Sequence, residues 1–173
     1  MNKQLKASAW WLLPISMLML IPSKAAFVQQ SGAVVIVGGE VQTPLSLRIE
    51  DLSTFEKFTH TTTERNGTEA IYTGVALVDV LYRAGVSLGG DLRGENLVKY
   101  LIAKARDGYE VLFSLPEIDP EFTNERILLV YELNGQPLPA GTGPFRLVVP
   151  QDKRSARWIR ELVSLEVRFA PAN

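Results

Sequence analysis

Four cations and a hydroxyl fall within one stretch of the chain: Lys153, Arg154, Ser155, Arg157 and Arg160 follow the turn at Pro150. A phosphate or sulfate needs convergent N–H donors and positive charge, and arginine supplies a bidentate fork. The same residues on an acidic chain also make a solvated basic turn. Arg146 lies in an otherwise apolar run, Phe145-Arg146-Leu147-Val148-Val149. A charge there is costly unless it is paired or faces a cleft. Its alternatives are the wall of an anion site or a salt bridge to Glu132 or Glu166. His60 is the only histidine and titrates near neutrality, so it is either an acid–base group beside such a site or a hydrogen-bonded strand residue. One histidine supports no Ser-His-Asp set. The chain has no cysteine, no His-Glu-x-x-His motif and no phosphate-binding glycine loop. Asp107-Gly108 is a turn signal rather than a catalytic one.

These side chains need a scaffold, and the sequence reads mostly as strands. Ala33 to Val37 is β-branched and ends at Gly38-Gly39. Leu45, Leu47 and Ile49 alternate with polar residues. A short helix is expected from Asp51 to Phe58. A threonine-rich strand, Phe58 to Thr63, leads to the hairpin signal Asn66-Gly67. Thr73 is placed to cap a helix from Val75 to Ala84 that Gly85 ends. Leu97 to Ala105 and Tyr109 to Ser114 read as strands, the second with Tyr109, Val111 and Phe113 on one face. Ile127 to Leu133 is almost continuously apolar, as in a strand buried on both faces. Val163, Leu165, Val167 and Phe169 alternate with Ser164, Glu166 and Arg168 in a half-buried last strand. The expected class is α+β: a twisted mixed sheet curling towards a barrel, with two or more short helices.

The N-terminus reads as an export signal. Lys3 and Lys6 precede an uncharged, mostly apolar stretch from Ala7 to Ile21, and Ser23-Lys24-Ala25 offers small residues for cleavage before Ala26. Pro14 interrupts the apolar run, which is shorter than the roughly 20 residues of a spanning helix. Residues 1–25 are therefore expected to be a signal peptide and residues 26–173 one domain in the periplasm or outside the cell, without a stable membrane anchor. No Arg-Arg pair precedes the run, which points to export as an unfolded, Sec-type chain. Cleavage would remove three lysines and no acid, taking the formal charge from −1 to −4. That balance gives no footprint for nucleic acid.

Several segments carry a resemblance. Tyr131-Glu132-Leu133-Asn134-Gly135-Gln136-Pro137-Leu138-Pro139 is followed by Gly143-Pro144-Phe145-Arg146-Leu147-Val148-Val149-Pro150. Asp107-Gly108-Tyr109-Glu110, Thr73-Gly74-Val75-Ala76-Leu77-Val78-Asp79-Val80-Leu81, and Arg157-Trp158-Ile159 with Leu165-Glu166-Val167 complete the set. In this order they resemble the molybdopterin-binding domain of the sulfite oxidase family. The resemblance implies that family's fold. It places Arg154, Ser155 and Arg157 near a Lys-Ser-x-Lys segment that holds the phosphate end of the pterin, and Arg146 at a family arginine. The family's metal ligand is a cysteine thiolate, and its position falls within Thr61, Thr62 and Thr63, with Thr63 preferred. Threonine is a poor substitute for a soft thiolate and a good strand residue. Exported members of the family resemble one another in loading their cofactor before crossing folded, whereas this chain's signal implies crossing unfolded. Molybdopterin is thus possible by resemblance, but no cofactor and no metal are expected. The expected function is an exported domain without metal-dependent redox activity. It would bind a small anionic ligand or an envelope protein partner through the family cleft, at Arg146, Lys153, Arg154, Ser155 and Arg157 with Thr63 and His60 nearby. The alternatives are a molybdopterin-dependent oxidoreductase with a non-cysteine ligand and a structural subunit of an envelope complex.

Overall fold

The computed structural model describes residues 32–64 and 66–170. The expected signal peptide lies outside the described residues. The strands divide between two sheets of five. The first is mixed, in the order β2 (Leu45–Leu47), β1 (Val35–Gly39), β10 (Leu162–Phe169), β5 (Lys99–Ala105), β6 (Glu110–Ser114). Only the β1–β10 pair is parallel. The second is antiparallel. β3 (Lys57–Thr63) pairs β4 (Glu69–Ala76), β4 pairs β7 (Leu128–Leu133), and β7 also pairs β8 (Gln136–Pro137) and β9 (Arg146–Val148). One α-helix, α1 (Leu77–Arg83), and five 3-10 turns complete the described elements, in keeping with the α+β class.

Period-2 alternation sorts β7 between two cores, because successive strand side chains point to opposite faces. Leu129 and Tyr131 enter the main core with Val37, Leu101, Phe113 and Leu165 of the first sheet and Leu77 and Leu81 of α1. Leu128 and Val130 face the other way, into a smaller cluster with Ala70, Tyr72, Leu138 and Val148. The run from Ile127 is therefore buried on both faces, as its composition predicts.

Several expected boundaries move. The helix begins at Leu77, not Val75, and its N-cap is Ala76. Thr73 is not a cap, because the ladders to β3 and β7 hold it in β4 opposite Thr59 and Glu132. Residues Glu50–Thr54 form a 3-10 turn instead of a helix reaching Phe58, since Phe58 is drawn into β3. Gly94–Val98 is likewise a 3-10 turn, and β5 starts at Lys99. Tyr109 is half exposed and precedes β6, while Val111 and Phe113 are buried as expected. A bulge between Leu162 and Ser164 shifts the phase of β10, so Leu162, Leu165 and Val167 are the buried residues and Phe169 is exposed.

Candidate functional site

The candidate site lies on the outer face of the second sheet. Register explains its membership: His60 pairs Tyr72, Thr62 pairs Ala70, and Val130 pairs Arg146. Ala70, Tyr72 and Val130 belong to the smaller apolar cluster, so their partners turn to the same face. The segment after β9 then loops back and lays Trp158 over that face. Trp158 Nε1 donates to the Val149 carbonyl at 2.9 Å, which fixes the indole. His60 and Tyr72 meet it edge-on, with ring centroids 5.7 and 5.9 Å away.

Above this floor opens a cleft of about 840 Å³. Arg146, Lys153, Arg154 and Arg160 line it, with Ser155 beside them; the acids in the lining are Glu64, Asp107 and Asp152, the last of which is paired with Arg157. Arg146 is the best-fixed cation. Its Nη1 donates to Tyr72 Oη at 2.8 Å, and Tyr72 Oη donates to Glu64 Oε1 at 2.6 Å. The guanidinium carbon stands 4.9 Å from the Tyr72 ring centroid and 5.6 Å from that of Trp158, within cation–π range. Burial lowers the Arg146 pKa, with Tyr72 and Glu64 opposing that shift. Burial, then the hydrogen bond to Glu64, pushes the Tyr72 hydroxyl up to about 12, so it remains a protonated bridge between arginine and carboxylate. Arg146 Nε is buried and has no hydrogen-bond partner in the protein. A buried donor left in this way is costly, and a ligand oxygen would satisfy it.

The sequence-predicted residues separate. Arg146, Lys153, Arg154 and Ser155 come together around the cleft. Arg157 does not join them. It forks onto Asp152, with Nε and Nη2 donating at 2.8 and 2.6 Å, and its Nη1 donates to Glu117 at 2.7 Å. The Asp152 and Glu117 hydrogen bonds hold the Arg157 pKa above its ordinary value despite some burial. Burial opposes ionisation of Glu117, but Arg157 and Ser114 together keep its carboxyl below the ordinary value. Arg157 therefore braces the basic turn from behind. Thr63 and its neighbour Thr62 both line the cleft. Thr63 is exposed at the rim opposite Glu69, whereas Thr62 lies on the half-buried face with Phe58 and His60. His60 supports Trp158 and is not part of the cleft lining; burial lowers its pKa. The salt bridges expected for Arg146 do not form, and Glu166 pairs Arg168 at 2.7 Å.

Tyr72, Glu64 and Trp158 were not singled out from the sequence as site residues. A two-residue turn at Asn66-Gly67 would put Tyr72 opposite Thr61; the hairpin instead pairs Thr63 with Glu69, one step out of that register, and so puts Tyr72 opposite His60. The Glu64 contact depends on side-chain reach and left no sequence signal.

The donor set does not suit molybdenum. The chain has no thiol, and among the described residues no group of histidines and carboxylates converges to hold a metal. The cationic wall and the unpaired Arg146 Nε do suit the anionic end of a ligand.

A small α+β domain with a cleft lined by arginines and a lysine on its second sheet is the class that the fold and site define. The family described as "Oxidoreductase molybdopterin binding domain" matches residues 26–172, and the chain belongs to that family. A solved structure of similar fold is the sulfane dehydrogenase SoxCD from Paracoccus pantotrophus, with a TM-score of 0.60 and 22% sequence identity. The match covers 78% of this chain and 38% of that chain, so this chain spans well under half of its length. No curated protein matches the sequence.

Proposed function

We propose that this chain is an exported binding domain that has kept the molybdopterin-domain fold, works without a metal centre, and takes an anionic group in the cleft of Arg146, Lys153, Arg154 and Arg160. The observation that carries the reading is the buried, partnerless Nε of Arg146, a residue that lines the cleft together with Lys153, Arg154 and Arg160. Bidentate guanidinium contacts to phosphate or sulfate are strong and geometrically selective. Lys153 and Arg154 are exposed, so they can close on a ligand without breaking an existing ion pair. Ser155 adds a hydroxyl donor. Glu64 offsets part of the charge through Tyr72, which favours a compact anion over a highly charged one.

The experiment is a sulfate and phosphate titration followed by thermal unfolding. A ligand that binds only the folded state raises stability by about 2.7 kcal/mol at a hundred times its Kd. Arg154→Ala should remove most of that rise while leaving the ligand-free melting point unchanged. A melting point that ignores both anions would overturn the reading. Membership of the family supports a second reading, a molybdopterin oxidoreductase with a non-cysteine ligand. Metal and pterin analysis of the protein from its native compartment decides between them.

A further inference from the structure

β3 is an edge strand. It pairs only with β4, and among the described residues its backbone makes no hydrogen bond outside that ladder. Natural edges are usually blunted by proline, bulges, inward charges or very short length. This one has seven residues, Lys57-Phe58-Thr59-His60-Thr61-Thr62-Thr63, with no proline and no bulge against β4. It carries a single lysine, at its start. β-Branched threonines alternate on its exposed side, and Phe58, His60 and Thr62 are half-buried on the other.

The two ends of this edge open into clefts of opposite charge. At the Thr63 end, Thr62 and Thr63 line the cationic cleft already described. At the other end, Glu56 and Phe58 line a second cleft of about 370 Å³ with Asp79, Glu125 and Arg126. Its three acids outnumber one arginine, and that arginine is laid over the Phe58 ring at 3.9 Å. Phe58 and Thr62 are four residues apart on one face, about 13 Å at roughly 3.3 Å per residue.

We propose that β3 is a docking edge for an extended peptide segment of a partner protein, which adds as an outer antiparallel strand. The segment carries an acidic or phosphorylated residue opposite Thr62 and a lysine or arginine four positions later, opposite Phe58. Main-chain hydrogen bonds supply affinity in this mode, and pockets for alternate side chains supply specificity. An antiparallel peptide runs from the cationic cleft towards the acidic one, which sets the order acid first, base second. A second copy of the chain fits less well, because an antiparallel β3–β3 pair would lay Lys57 of each copy towards the cationic cleft of the other. This inference rests on the charge of the same cleft but not on its holding a small anion.

The test uses the mature chain and labelled heptapeptides read by fluorescence anisotropy. Thr-Glu-Thr-Val-Thr-Lys-Thr should bind, and the order-reversed peptide with lysine first should bind about tenfold more weakly. Two N-methylated versions, one for each alternate set of amides, leave the protein untouched. Only alternate amides of an added strand face its neighbour. One set should therefore lose about tenfold, the effect of two ordinary hydrogen bonds, and the other should be tolerated. Equal sensitivity of the two sets, equal binding of the two orders, or no binding would each overturn the inference. So would a chain dimer, seen by sedimentation, that the peptide fails to dissociate. Loss of sulfate stabilisation alone, with the N-methyl pattern intact, would refute the small-anion reading and leave the docking edge standing.

Discussion

Arg146 and Arg157 are one residue type in two roles, and the difference is where their donors go. Arg157 commits its donors to Asp152, five residues before it, and to Glu117, forty residues before it. Replacing it by alanine strands two carboxylates and should cost about 1–3 kcal/mol, the range for hydrogen bonds between charged groups, in a urea melt. Arg154→Ala removes an exposed side chain with no ion-pair partner and should move stability by less than about 0.5 kcal/mol. If both variants lose the same stability, Arg157 is not the brace. His60 makes a separate prediction. Its folded pKa is lowered from the ordinary 6.5 by burial, so below that pH the unfolded chain binds the additional proton. Stability then rises with pH across this window and is lost as pH falls from 6.5 towards the folded pKa. His60→Phe keeps an aromatic ring against Trp158 but cannot titrate. The mutant should show a flatter stability profile below pH 6.5 than the wild type; parallel profiles would refute the assignment.

At the scale of elements, β4 is the pivot, because it is hydrogen-bonded on both sides and feeds directly into α1. Gly74 sits at its bulge against β7. A Cβ there would overlap the Leu129 carbonyl oxygen and stand 2.7 Å from Val130 Cα. Neither is a flexible side-chain end, so Gly74→Ala should cost about 3 kcal/mol or more, at or beyond the upper end of overpacking effects, in chemical denaturation. A loss below 1 kcal/mol would mean that β7 yields easily. Glycine and threonine in Thr73-Gly74 look from the sequence like the start of a helix, and local pattern cannot reveal that two strands claim them first. The same limit explains most of what the sequence leaves unread. β7 is legible because an unbroken apolar run has few other uses, and the hairpin is legible because Asn66-Gly67 is a local signal; the bulge in β10 and the Glu117–Arg157–Asp152 cluster join segments far apart in the chain and leave no local trace. Arg146 was legible as an anomaly, a charge in an apolar strand, but its Tyr72–Glu64 partners required the register of three strands.

At the scale of the whole molecule, the donor set disfavours a loaded metal centre. The chain lacks any thiol, and among the described residues no set of histidines and carboxylates replaces one. Protein recovered from a molybdenum-replete, pterin-competent host should therefore carry well under one molybdenum per chain, and under the proposed export it should begin at Ala26. Register decides where a thiolate could be supplied. Thr62, opposite Ala70 on the half-buried face, is the better place for a thiolate than Thr63, which is exposed opposite Glu69. A chain of residues 26–173 kept in the cytoplasm and carrying Thr62→Cys should gain pterin or molybdenum, measured by fluorescence of the oxidised pterin and by elemental analysis. Thr63→Cys should gain less, because period-2 alternation turns its sulfur away from the floor of Tyr72 and Trp158. Retention of pterin without metal by the unsubstituted cytoplasmic chain would show that the anion cleft survives intact and that only the ligand is missing. Stoichiometric molybdenum in the wild-type protein would overturn the binding-domain reading and favour the oxidoreductase one.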